Sequence, residues 1–302
     1  MPQKSFSPQQ LMELIADIKK KKELSGVDEK FIYSQLLSVL EKNHKLAQEL
    51  QKKIHPKSSA YKELLSLVRA QLRRVYGLFR EAEDIKNRKS LLEGFKKVPS
   101  AKRKEVIEAI LKTSAATRER WAFYEQFWEK VFQIIKMEIT TIKISKKSKT
   151  IIDIGAGIHP FSLDLAHLKP LHYYAYDLGN DEVALLNDFF LFLNKQNHSF
   201  HGKAEVFDAL QFEELRKLPK ADVAFLLKMT DVLDRGRGHK VSEYVISAVP
   251  AKYVIVSFST VTMSGKPMNF PERKWIELMC KRLRYDFEKF LLGKEIFYVV
   301  KK

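Results

Sequence analysis

The residues with the most chemistry to offer are Ile151-Ile152-Asp153-Ile154-Gly155-Ala156-Gly157. An apolar run that reads as a buried strand ends there in an Asp-x-Gly-x-Gly turn. Glycine lacks a Cβ, so the backbone can turn sharply and approach a ligand closely. In open α/β sheets, ligands sit at the carboxyl ends of strands, where such a turn lies. Asp177 ends the next predicted strand, His172 to Asp177, twenty residues beyond Gly157. A carboxylate there can accept both ribose hydroxyls of a nucleoside-containing cofactor. Asp208 follows the third predicted strand and can accept the exocyclic amine of adenine. Either aspartate alone reads equally as a helix cap or turn residue; the ordered set points to a nucleoside cradle. Asp153, Gly155, Ala156, Gly157, Asp177, Leu178, Asp208, Ala209 and Leu227 form the candidate cofactor-binding set. A dinucleotide fingerprint would need glycine at position 160, which is Pro160, and would not call for an acid at Asp153. The form present suits S-adenosylmethionine, which has no pyrophosphate to cradle.

Positioning these groups requires a sheet. From Thr150 onward, short apolar runs alternate with helical stretches: Ile151–Ile154, Tyr173–Tyr176, Ala204–Phe207, Val223–Leu227, Tyr253–Phe258 and Ile296–Val300. That alternation predicts an α/β domain with a mostly parallel sheet covered by helices on both faces. The first half reads as all helix. Ser7-Pro8 caps a first helix with Leu11, Leu14, Ile15 and Ile18 inward, and Asp28 caps a second that His55-Pro56 breaks. A third carries Leu64, Leu65, Val68, Leu72, Val75 and Phe79, with Lys62, Arg69, Arg73 and Arg80 on its other face. Ser100 caps a fourth helix and Thr117 a fifth, whose dense aromatics (Trp121, Phe123, Tyr124, Phe127, Trp128, Phe132) suit a helix packed on the sheet. Lys143 to Lys149 reads as a charged connector. The domain expectation is a basic helical domain over 1–113 and a catalytic domain over 114–302.

The net charge of +17 is unevenly spread: residues 1–150 carry +15 and residues 151–302 carry +2. A basic module beside a nearly neutral one suggests that the first docks on a polyanion, although a Lys-rich solubilising surface would look similar. The single cysteine, Cys280, excludes a disulfide framework and a cysteine zinc cluster, and the eight histidines show no metal spacing. No apolar run approaches the ~20 residues of a membrane span. The expectation is therefore a cytoplasmic, metal-independent monomer.

Several segments in order are similar to the aminoglycoside-resistance 16S rRNA (guanine-N7) methyltransferases, whose catalytic domain is Rossmann-like. They are Thr117-Arg118-Glu119-Arg120-Trp121, Ile152 to Pro160, Phe225 to Asp234, Ser257-Phe258-Ser259-Thr260 with Ser264-Gly265-Lys266, and Glu295 to Val300. The likeness runs over roughly 113–302. It implies a seven-stranded class I methyltransferase sheet, S-adenosylmethionine as methyl donor with S-adenosylhomocysteine as product, and an N-terminal domain docking on the small ribosomal subunit. It implies that Arg120 pairs with the cofactor carboxylate, Asp177 holds the ribose and Asp208 meets the adenine. It further implies that Lys228 sits beside cofactor and target base, with Asp234 and Lys266 around the target nucleotide. Ala156 stands where the family commonly has cysteine, Asp231 where it has proline, and Asp234 where it has glutamate.

The chemistry implied is an in-line displacement. Guanine N7 has an available lone pair, so no base need remove a proton first, and orientation supplies much of the rate. A carboxylate such as Asp234 can stabilise the charge an attacked N7 acquires. Arg235 to Lys240 reads as a basic loop able to touch phosphates. Another RNA position, tRNA, or a non-catalytic ribosome-assembly role remain the alternatives.

Overall fold

The computed structural model describes residues 6–52, 54–76, 82–134, 149–166, 171–234, 238–262 and 265–302. Phe79, Arg80, most of the 143–149 connector, Arg235, Arg237 and Ser264 lie outside them. Two compact units are present: Met1–Ala82 with Leu178–Asp181, and Glu83–Asp177 with Glu182–Lys302.

The first unit contains α1 (Pro8–Lys19), α2 (Glu29–Lys42), α3 (His44–Lys52) and α4 (Ser59–Val75). Its helices start where the capping chemistry says. Ser7 and Gln10 form a reciprocal capping box, the Asp28 carboxylate accepts from Phe31 N at 3.0 Å, and the Ser58 hydroxyl accepts from Tyr61 N at 3.2 Å. The continuous second helix expected up to His55-Pro56 is split. Asn43 leaves helical geometry and its amide donates to Val39 O at 2.7 Å, after which α3 begins. Leu14, Ile18, Ile32, Leu36, Leu64, Val68 and Leu72 are fully buried together, at the helical spacing that singled them out. The 178–181 segment joins this unit through Asp28 N to Leu178 O (3.1 Å) and Asn180 N to Gly26 O (2.8 Å).

The second unit begins with α5 (Ala82–Lys97), α6 (Arg103–Leu111), α7 (Ala115–Arg120) and α8 (Tyr124–Ile134). Then follow β1 (Lys149–Ile154), β2 (Leu171–Asp177), α9 (Asn180–Gln196), β3 (Phe200–Val206), α10 (Phe212–Leu215), β4 (Ala221–Leu227), α11 (Thr230–Leu233), α12 (Lys240–Ala248), β5 (Ala251–Ser259), α13 (Lys274–Leu283), β6 (Asp286–Leu292) and β7 (Glu295–Lys301). The strands form one sheet in the order β3-β2-β1-β4-β5-β7-β6. Its pairs are parallel from β3 through β5, and β7 runs antiparallel to both neighbours. The expected α/β architecture is thus present. β6 escaped the apolar-run reading because it is a charged edge strand, Asp-Phe-Glu-Lys-Phe-Leu-Leu, most of it exposed.

The aromatic helix α8 packs on the sheet as expected: Phe127 lies 5.7 Å from Phe225 on β4 and 5.4 Å from Phe297 on β7, ring centre to ring centre. Thr117 does not cap it. Ser114 precedes α7, and the Thr117 hydroxyl instead donates within that turn, to Leu111 O and to Ser114 O at 3.2 Å. Leu92 and Phe95 of α5, with Ile107, Ile110 and Leu111 of α6, join the same core. The compact units divide at Ala82/Glu83, whereas the boundary expected from the sequence is 113/114. Arg88 fastens the arrangement. Its buried guanidinium donates to Thr113 Oγ1 (2.8 Å), Thr113 O (3.0 Å) and Glu182 (3.0 Å), tying α5, the end of α6 and the start of α9. Removing one member of a buried pair strands the other charge. Arg88→Ala should therefore cost about 3–5 kcal/mol in chemical denaturation, whereas a loss of under about 0.5 kcal/mol, typical of surface sites, would show that the clasp does not hold the helices.

Candidate active site

At the end of β1 the backbone reverses. Gly155 has φ of +70° and Gly157 of +51°, both in the left-handed region that favours glycine. A Cβ at Gly155 would also lie 2.2 Å from Met229 Sδ. The turn is held by Gly155 N and Ala156 N, both donating to Tyr176 O on β2 at 2.8 and 3.1 Å. Gly157 N donates to Asp177 Oδ2 at 2.8 Å, which fixes that carboxylate against the turn. Asp208 follows β3, with Oδ1 accepting from Leu210 N at 2.9 Å beside buried Ala209. Leu227 closes β4, nearly buried. The glycine turn, Asp177 and Asp208 therefore occupy the carboxyl ends of three adjacent strands, β1, β2 and β3. A Cβ built at Gly157 meets nothing within 4 Å, so the space over the turn is open. A glycine turn with a carboxylate fixed to it, and a second carboxylate at the end of the next strand but one, fits a nucleoside with ribose hydroxyls and an amine to donate.

Two members of the candidate set lie elsewhere. Asp153 is 1% exposed. Its Oδ2 accepts from the Tyr173 hydroxyl at 2.7 Å and lies 3.0 Å from His159 Nδ1. This carboxylate braces the core beneath the turn. His159 is stacked on Trp128 (5.6 Å, 13°) and on Tyr124, and burial pushes the Tyr173 hydroxyl well above its ordinary pKa. Leu178 packs against the core of the helical unit.

Lys228 stands just past β4 with φ of +56°, a left-handed position that costs a side chain with a Cβ roughly 1–2 kcal/mol. It is held there by its own N–H, which reaches Ser257 O and Oγ on β5, both at 3.1 Å. Its ammonium pairs with Glu119 and lies 3.7 Å from Glu295 Oε2. Glu295 also takes the fork of Arg120: Nε at 2.9 Å from Oε2 and Nη2 at 2.8 Å from Oε1. Both partners of that pair are 2% exposed. Burial alone would raise the Glu295 carboxyl, but Arg120 and Lys228 outweigh it and hold it below its ordinary value. Arg120, for which a cofactor carboxylate was expected, thus has an internal carboxylate as its partner. Glu119 and Glu295 fell inside recognised segments yet carried no signal of their role, since the Arg120–Glu295 pair spans 175 residues of sequence.

Asp234 is also engaged. Its carboxylate accepts from Ser242 N in α12 at 3.0 Å and lies 3.3 Å from His239 Nδ1. The His239 ring stacks on Trp275 (4.5 Å, 9°). Lys266 is exposed at the tip of a turn after β5. Among the described residues, no group of His, Cys, Asp or Glu is placed to hold a metal ion, and no helix is long and apolar enough to cross a membrane.

A family model described as ribosomal RNA methyltransferase (FmrO) matches residues 58–299. The chain belongs to this family. Among solved structures it is similar to the 16S rRNA methyltransferase RmtF in complex with S-adenosyl-L-homocysteine, with a TM-score of 0.72 and 18% identity over 98% of this chain and 100% of that one. It is similar also to the 16S rRNA methylase RmtB, at 0.67 and 16% over 98% and 100%. An rRNA methylase from Escherichia coli gives 0.66 and 14% over 97% and 99%. At these identities the likeness is one of fold. None of the curated proteins matches this chain.

Two outcomes test the charge cluster. Glu295→Gln leaves two cations short of one anion and should cost about 3 kcal/mol in urea denaturation near neutral pH. A carboxyl whose native pKa is depressed stabilises above its unfolded value, and that stability is lost as pH falls through the native value. The variant should therefore lose less stability than wild type below the ordinary glutamate value of 4.5; an unchanged acid limb would remove Glu295 from the cluster's balance. Separately, Lys228→Gly should be about 1 kcal/mol more stable than Lys228→Ala. Both lack the ammonium, so the difference reads the left-handed backbone, and equal stabilities would show no strain there.

Proposed function

We propose that this chain transfers a methyl group from S-adenosylmethionine to 16S ribosomal RNA, at guanine N7 in the decoding region of the small subunit. The glycine turn locked to Asp177 in a ribosomal RNA methyltransferase family member carries this reading. The donor supplies a methyl group on a sulfonium. The turn and Asp177 would hold the nucleoside, with Asp177 accepting ribose hydroxyls and Asp208 the adenine amine. Lys228, fixed at the mouth of β4, would orient the target base, and Lys266 would meet the RNA around it.

The choice of N7 rests on what the side chains can do. A ring nitrogen with a free lone pair needs only alignment, whereas an exocyclic amine or a ribose hydroxyl calls for a proton acceptor. Three carboxylates close to the end of β4 in sequence or contact already have donors, since Glu119 and Glu295 hold cations and Asp234 holds an N–H, while Asp231 on α11 is exposed. Arg120 is assigned to positioning, since it acts on the site through Glu295 and Lys228. Asp234 likewise supports the site by fixing the start of α12. The charge of +15 over residues 1–150 suits docking on ribosomal phosphates. A monomer in the cytoplasm is part of the same reading.

The decisive experiment maps methylated nucleotides in small ribosomal subunits treated with the protein and labelled cofactor. A single N7-methylguanine in the decoding region is expected; a methyl on an exocyclic amine, on ribose, or only on tRNA would refute the assignment. Asp177→Ala should weaken S-adenosylhomocysteine binding about 10- to 100-fold in calorimetry, the worth of one or two hydrogen bonds to a charged group. Unchanged affinity would remove the cradle.

A further inference from the structure

Beyond β5 the chain leaves the sheet as a short hairpin. Thr262 N donates to Lys266 O (2.8 Å), Met268 N donates to Thr260 O (2.9 Å), and Val261 and Pro267 form an antiparallel bridge. The segment between this hairpin and α13 carries Phe270, which at 82% exposure is the most exposed large apolar side chain among the described residues. A single exposed ring on a loose loop would mean little, but this loop is tied down. Arg273 Nη1 donates to Pro271 O at 3.0 Å and Phe270 O at 3.3 Å, and Nη2 to Ser259 O at 3.4 Å. Its guanidinium lies 4.8 Å over the Phe258 ring, and its N–H donates to the Tyr298 hydroxyl at 2.7 Å. One cation thus fastens the loop to the end of β5 and to β7, and the ring is held outward.

The ring borders a cleft that holds one acid and one lysine. The cleft, of about 590 Å³, is lined by Asn269, Phe270, Pro271, Glu272 and Lys274. The acid among these, Glu272, is taken by Lys289 at 2.7 Å. Lys266 and Lys274 are exposed and form no ion pair among the described residues. The loop is rooted two residues past Ser257, the residue on which Lys228 rests, so it rises from the same edge of the sheet as the candidate site.

We propose that Phe270 is a stacking platform for an unpaired nucleobase of the substrate RNA, with Lys266 and Lys274 meeting the flanking phosphates. The proposal rests on the reading of the chain as an RNA methyltransferase. An outward ring beside Lys274, on a loop that also carries Lys266, matches a base with its phosphates, since every base offers a π-face and the strand supplies the negative charge. A protein partner or a lipid surface would call for a wider apolar patch.

The test compares wild type, Phe270→Ala and Phe270→Trp. Each is titrated with short single-stranded oligoadenylate, with a duplex of the same length, with protein-free 16S rRNA, with small ribosomal subunits, and by calorimetry with S-adenosylhomocysteine. Phe270→Ala should weaken oligoadenylate and rRNA binding about tenfold, within the worth of one stacked base. Duplex and S-adenosylhomocysteine affinities should stay unchanged. Phe270→Trp should restore binding, and its added indole fluorescence should be quenched by the single strand. Wild-type affinity of Phe270→Ala for single strands overturns the platform. So does a loss seen with subunits but not with protein-free rRNA, which would place the ring on a ribosomal protein. A wild type that fails to bind S-adenosylhomocysteine, with Phe270→Ala still weakening RNA binding, supports the platform and removes the enzyme reading.

Discussion

One buried carboxylate, Glu295, answers to two cations from distant parts of the chain. Arg120 ends α7, Lys228 comes from the end of β4, and Glu295 opens the last strand. Taking such charges out of water costs several kcal/mol per ion, and their attraction recovers that only with good geometry. The geometry is good here: the Arg120 fork grips both oxygens, and Lys228 is shared with Glu119. Replacing the whole cluster with apolar side chains would make a comparable or firmer core, as buried ion pairs are weak sources of net stability. What the cluster supplies is placement. Lys228 holds a backbone conformation that its own Cβ disfavours, and the ladder bond to Ser257 together with two carboxylates keeps it there. Backbone strain held in place by its surroundings is common at functional sites.

The same economy divides the aspartates of the first two strands. Asp153 and Asp177 lie near one glycine turn, yet one is sealed beneath it with Tyr173 and His159, and the other is bound to its outer N–H. The buried acid supports the turn from below through an aromatic box in which His159 lies between Trp128 and Tyr124. The outer acid, half-buried at the end of β2, has its orientation set by Gly157 N. The acid before the glycines braces the core, and the acid on the next strand is the one proposed to meet the cofactor.

Much of this was legible from residue order. Short continuous apolar runs located the interior strands to within two or three residues at most ends, because strands covered by helices on both faces must be apolar throughout. The turn was legible because only glycine tolerates φ of +70° with Met229 overhead. Three features were not. β6 lies at the sheet edge and shows no apolar run. The packing of α5 and α6 with the sheet was masked by their surface lysines, since charge reports the exposed face and Phe95 and Ile107 report the buried one. The Arg120–Glu295 pair was hidden because a pair closed across 175 residues leaves no local pattern.

Charge balance joins these observations to the proposed reaction. Methyl transfer from a sulfonium to a neutral ring nitrogen moves one positive charge from donor to base. A site with a fixed excess of either sign would favour one end of that transfer and oppose the other. Arg120 and Lys228 are matched by Glu295 and Glu119, so the cluster carries two charges of each sign within hydrogen-bonding reach. Such a cluster is nearly indifferent to where the transferred charge resides. In the proposed reaction its contribution would then be directional, through the fixed position of Lys228, with alignment rather than acid–base chemistry as what these side chains would supply.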